Sequence, residues 1–156
     1  MSWEEKDQVK KGTIGENIIR KYLEKNGYKV YQPKTKGAHY FDMLATKNKQ
    51  EVIALDVKTK ARLNNYRATG IDAKHYKDYT RLINTTQLPF YIYFVDEMEG
   101  KVYKQLLNNL PEPFKLNKYI VCWFLKDLIY LFDLTENEKN ELKKYNSRNY
   151  LYNPKQ

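Results

Sequence analysis

Three charged side chains sit where charge is expensive. Asp42 lies inside the apolar run HYFDMLA, and Asp56 and Lys58 lie two residues apart near the end of EVIALDVKTK. Both stretches read as β-strands, where a carboxylate is disfavoured and costly unless something neutralises it. A divalent cation would do so. Two carboxylates can hold such an ion while leaving positions for water and a phosphate oxygen. A lysine beside them can add positive charge at the phosphate or orient the water. On one strand Asp56 and Lys58 share a face and stand about 6.6 Å apart, so the set is suited to hydrolysing a phosphodiester. An ordinary Asp–Lys pair at a strand end is the plainer alternative, but it leaves Asp42 unexplained unless Asp42 caps a loop.

The elements that must position this set follow from the surrounding pattern. Along EVIALDVKTK, Val52, Ala54, Asp56 and Lys58 point to one face and Ile53, Leu55 and Val57 to the other. Both faces are apolar until Asp56, as in a central strand whose polar end emerges at a site. TKNKQ joins the two strands as a hairpin. Upstream, Ser2 to Lys11 is polar and helical; Ile14, Ile18, Ile19, Tyr22 and Leu23 then share one side of a helix stopped by Asn26-Gly27. YKVYQP is a short strand. Downstream come a polar loop, ARLNNYRATG, and a helix from about Ile71 to Asn84 with Ile71, His75, Tyr79, Leu82 and Ile83 on one face. PFYIYFVDE and KVYKQLL are strands around a Glu-Gly turn, and NNLPEPFKLNK is loop. YIVCWFLKDLIYLF reads as a strand passing into a short helix. Thr135 to Glu138 fits a capping box for a helix of about ten residues, and the tail NYLYNPKQ carries no clear signal. The order predicts a single α/β domain over 1–156, with a mixed central β-sheet flanked by helices and 133–156 as a C-terminal helical extension.

Composition narrows the classes. The chain has 156 residues, 42% of them apolar and 15 of them tyrosine, which suits one soluble globular domain. Its net charge of +9 suggests a polyanionic partner, although only five of its 28 basic residues are arginine. The single cysteine, Cys122, excludes an internal disulfide, and one Cys with two His excludes a structural zinc site. No signal-like segment or membrane-length apolar run is present, so a cytoplasmic, membrane-free protein is expected.

The order of these features resembles the PD-(D/E)XK nuclease superfamily, the restriction endonuclease-like and Holliday junction resolvase-like enzymes. Asp56-Val57-Lys58 matches the acidic-x-Lys motif, and Asp42 matches the Asp that precedes it, with Phe41 in place of the usual proline. Glu16, in GTIGENIIRKYLEKNGYKV, matches an acidic residue on the N-terminal helix. The resemblance covers Gly12 to Phe94. It implies an endonuclease that hydrolyses DNA, less often RNA, with Mg²⁺ or Mn²⁺. Asp42, Asp56 and the Val57 carbonyl would hold the metal, Glu16 would act directly or through water, and Lys58 would position or deprotonate the water. Such nucleases commonly act as homodimers where both strands are cut, and no stretch of this sequence marks an interface. The alternative is a non-catalytic nucleic-acid-binding or assembly protein on the same fold.

Several of these residues have a second reading. Thr13-Ile-Gly-Glu16 spells a capping box, in which Glu16 would serve the helix end and not a metal. Lys60, Arg62 and Arg67 follow the catalytic strand and, with Lys74, are candidates to meet phosphates; each also suits a plain solvated surface. His75 falls within its helix's apolar face, as a core histidine with satisfied hydrogen bonds or, by the resemblance, as a group behind the metal ligands.

Overall fold

The computed structural model describes residues 6–60 and 66–145. Helix α1 (Asp7–Lys25) leads into strand β1 (Lys29–Tyr31) and the hairpin of β2 (Met43–Lys47) and β3 (Glu51–Lys60). Strand β4 (Ala68–Asp72), helix α2 (Ala73–Thr86), β5 (Phe90–Asp96) and β6 (Lys101–Leu106) follow. Then come β7 (Lys115–Leu116), β8 (Ile120–Phe124), β9 (Ile129–Asp133) and α3 (Glu136–Lys143). Six strands form a mixed sheet in the order β1-β2-β3-β5-β6-β9, and β4-β8-β7 form a smaller antiparallel sheet. Among the described residues, only β3 and β5 run parallel in the large sheet, and they form its middle.

The alternation along β3 divides the core in two. Ile53, Leu55 and Val57 pack with Tyr93, Val95 and the α1 residues Ile18, Ile19 and Leu23; Leu142 of α3 joins them. Ala54 faces the other way, with Ile92 and Phe94, against Tyr79 and Ile83 of α2 and Ile71, Val121 and Trp123 of the small sheet. Burial on both faces explains why β3 and β5 are nearly continuous apolar runs. The β2–β3 turn places Asn48 and Lys49 in the left-handed region, at φ 53° and 57°, the twist that a tight hairpin needs.

Two features seat α1 on β3. A β-carbon on Gly15 would collide with Thr59 Oγ1, so glycine permits the close approach. Lys11 Nζ reaches Glu97 Oε1, at the end of β5, at 3.0 Å.

Four expectations need correction. The segment around Ile71 is strand: Ile71 pairs with Val121, and α2 begins only at Ala73, so cross-strand pairing overrides the helical spacing. The regular part of HYFDMLA starts at Met43. After β8 the chain makes a 3-10 turn at Leu125–Asp127 and continues as β9, an edge strand of the large sheet, where a short helix was expected. Thr13 lies inside α1, its hydroxyl bonded to the Val9 carbonyl at 3.0 Å, so it caps nothing. The capping box at Thr135 and Glu138 does form. The tail 146–156 and Arg62 lie outside the described residues. No described helix is long and apolar enough to cross a membrane.

Candidate active site

Asp56 emerges from the middle of the sheet on the face shared by Ala54 and is only 4% exposed. Lys58 Nζ lies 2.5 Å from Asp56 Oδ2. That contact is not aligned as a hydrogen bond, and Oδ2 is a buried acceptor with no hydrogen-bond donor. Tyr79, from α2, is buried beside the same carboxylate, and burial first, then Asp56, push its hydroxyl up. The Lys58 ammonium also stands over the Tyr79 ring, 5.6 Å from its centre.

Asp42 sits just before β2. Its N–H donates to the Leu55 carbonyl at 3.0 Å, and its Oδ2 accepts from the Val57 N–H at 2.6 Å. Burial pushes its carboxyl up to about 8, and the neighbouring charge of Asp56 pushes the same way; the Val57 bond and Lys58 oppose them. Glu16 is raised too, by burial first and then by Asp56, with Lys58 and His39 pulling it down. Three carboxylates from α1, the start of β2 and β3 therefore feel one another in a half-dry site. Glu16 reaches this group because Gly15 lets α1 lie against β3, and with Thr13 mid-helix the capping account of Glu16 fails.

This arrangement suits a cation. Asp56 Oδ2 lacks a hydrogen-bond donor, burial and the Asp56 charge push the Asp42 carboxyl up, and the Val57 backbone, which follows Asp56, is tied to Asp42 by its N–H. Among the described residues, no three His, Cys, Asp or Glu side chains converge into a ready-made cage. An open site of two carboxylates and a carbonyl, completed by water, is the coordination that Mg²⁺ accepts.

The candidate contacts around the site separate. Lys60 is half-buried on the face of Asp56 and Lys58, and burial pulls its ammonium down. Arg67 is exposed, but its Nη2 is held by both Glu99 oxygens at 3.0 and 2.9 Å. Lys74 is exposed on α2. His75 is not a core residue: it lies exposed in the first turn of α2. Its Nδ1 is 3.7 Å from Asp72 Oδ2, and its ring stacks on Tyr79. Tyr79 is the site residue that sequence reasoning missed. Its place on the apolar face of α2 was legible, but its nearness to Asp56 was not.

No protein-family model matches the chain, and no curated protein is recognisably similar to it in sequence. Solved structures do match. Hjc, a Holliday junction resolvase from Archaeoglobus fulgidus, aligns over 76% of this chain and 95% of its own, with TM-score 0.58 and 14% identity. This is the restriction endonuclease-like fold. The bacterial homing endonuclease I-Ssp6803I aligns over 75% of this chain and 74% of its own, with TM-score 0.48 and 13% identity. In the restriction endonuclease-like frame, the site lies where the central strand β3 turns polar.

Proposed function

We propose that this protein is a metal-dependent nuclease that cleaves DNA as an endonuclease. The observation that carries the reading is the buried carboxylate group at the polar end of β3, in which Asp56 Oδ2 has no hydrogen-bond donor and Asp42 is pushed up to about 8. A binding module gains nothing from carboxylates buried beside an anionic ligand, whereas a hydrolytic centre needs them. Hjc, described as a Holliday junction resolvase, shares the fold, which favours a nucleic-acid substrate here.

Asp42, Asp56 and the Val57 carbonyl would hold Mg²⁺ or Mn²⁺, with Glu16 behind them. The ion when bound supplies Lewis acidity at the phosphate and a water of lowered pKa. The chain's own residues do the rest. Lys58 gives up its contact with Asp56 to face the phosphate or the attacking water. Tyr79 packs beside Asp56 and supports the Lys58 ammonium with its ring. Lys60, one pleat further along the same face, adds positive charge where the strand of DNA leaves.

The test incubates the purified protein with supercoiled, linear, single-stranded and branched DNA in Mg²⁺, Mn²⁺ or EDTA, beside Asp56→Ala and Lys58→Ala. Metal-dependent cutting that both variants lose is the expected result. Binding without any cutting would move the protein to the non-catalytic alternative.

A further inference from the structure

The catalytic face of the large sheet runs past the site to an open edge. Paired residues on neighbouring strands share a face, so Tyr31, Leu44 and Ala54 form one row across β1, β2 and β3. Lys29, Thr46 and Val52 form the next row. Ala54 lies on the face of Asp56 and Lys58, so Tyr31 and Lys29 do as well. The core covers Ala54 and part of Leu44, but Tyr31 is 56% exposed, Val52 is 42% exposed, and Lys29 is open to solvent.

The loop 32–41 closes this margin at its other end. It is exposed as far as Tyr40, which at 80% is the most exposed large apolar side chain among the described residues. Phe41 tucks against the core, and Asp42 follows directly. His39 and Tyr40 stand within three residues of Asp42, which puts this end of the loop beside the site. From Lys25 to Phe41 the chain carries Lys25, Lys29, Lys34, Lys36 and His39 and neither Asp nor Glu.

We propose that this margin is the track for an unpaired segment of a DNA strand on its way to the site. Tyr31 and Tyr40 stack on bases, and Lys29, Lys34 and Lys36 meet phosphates. Exposed rings beside a stretch of chain that carries lysines and no acid of its own suit a ligand that offers both π-faces and negative charge. A duplex hides its base faces, so it gains only the charge. A second copy of this chain fits less well, because a two-fold contact would set these lysines against themselves. The inference rests on the site being a phosphodiester-cleaving centre and narrows its substrate to DNA with unpaired bases beside the cut.

Binding without metal tests it. Fluorescence anisotropy in EDTA compares a labelled single strand of thymidines with a duplex of equal length. The proteins are wild type, Tyr31→Ala, Tyr40→Ala, the double variant and the two Phe replacements. The single strand binds more tightly than the duplex, each Ala variant loses about fivefold to a hundredfold for the single strand alone, and the Phe variants keep wild-type affinity. Wild-type protein also quenches 2-aminopurine placed in the strand, a readout of stacking that needs no variant to fold. Ala variants that bind as wild type, without quenching, overturn the proposal. So does a double variant that turns a dimer into a monomer in sedimentation while DNA affinity stays intact. Ring-dependent binding by a protein that never cuts DNA would keep this inference and sink the nuclease reading. Cutting that needs Asp56 but ignores both rings would do the reverse.

Discussion

At the scale of single residues the site is a balance of buried charge. Asp56 keeps its place through Tyr79 and Lys58, and each partner can be removed separately. Tyr79→Phe removes the polar hydroxyl beside a buried carboxylate and keeps the ring under Lys58. It should cost about 1–3 kcal/mol of stability, seen as a lower Tm. It should also reduce kcat more than it changes KM, because the hydroxyl lies beside Asp56 and touches no substrate; an unchanged kcat would reduce Tyr79 to a packing residue. Asp42 gives a pH signature. Its folded-state carboxyl, pushed up to about 8, lies above its ordinary value of 3.8, so the folded protein binds the proton more tightly than the unfolded chain. Stability from this group is therefore full below about pH 4 and is lost as pH rises toward 8. Without metal, Tm should fall over that window, and Asp42→Asn should flatten the decline. Added Mn²⁺ competes with the proton, so its stabilising shift should be larger at pH 8 than at pH 5.5. A shift independent of pH would separate the metal from Asp42.

At the scale of elements the site depends on how closely α1 lies on β3. Gly15 is the contact, and a methyl group there would meet Thr59 Oγ1. Gly15→Ala should cost about 1–3 kcal/mol through overpacking, and Thr59→Ala should recover part of it by removing the obstructing oxygen. Equilibrium unfolding of the two single variants and the double measures the coupling; additive effects would mean that α1 is not seated on Thr59. The same elements show what the sequence could disclose. β3 was legible because its apolar alternation ends in Asp56 and Lys58, and α3 because its cap is local. Glu16 was expected at the site, with a cap at Thr13 to Glu16 as the rival reading that the start of α1 at Asp7 removes. The small sheet was not legible. Ala68–Asp72 becomes strand by pairing with Ile120–Phe124, some fifty residues away, and no local pattern encodes such a partner. His75 was misplaced because helical spacing gives the face it shares with Tyr79 but not how far along α2 the core extends.

At the scale of the whole molecule, a net charge of +9 is less uniform than it looks. Several cations are engaged: Lys11 with Glu97, Arg67 with Glu99, Lys101 with Asp133 and Lys139 with Glu136. The run from Lys25 to Phe41 carries four lysines and no acid of its own, which concentrates positive charge on the margin beside the site. Salt dependence can tell a directed surface from a diffuse one. Binding that neutralises Z phosphates of a single strand gives a slope of log K against log salt of about −0.7Z. If the margin carries the contacts, Lys34→Ala with Lys36→Ala should make the slope shallower by about 1.4, one phosphate lost per lysine. Lys101→Ala, which frees Asp133 on the far edge strand, should leave it unchanged. Equal changes from both variants would mean that the protein attracts DNA by its net charge alone, and the margin would then have no special claim on the strand.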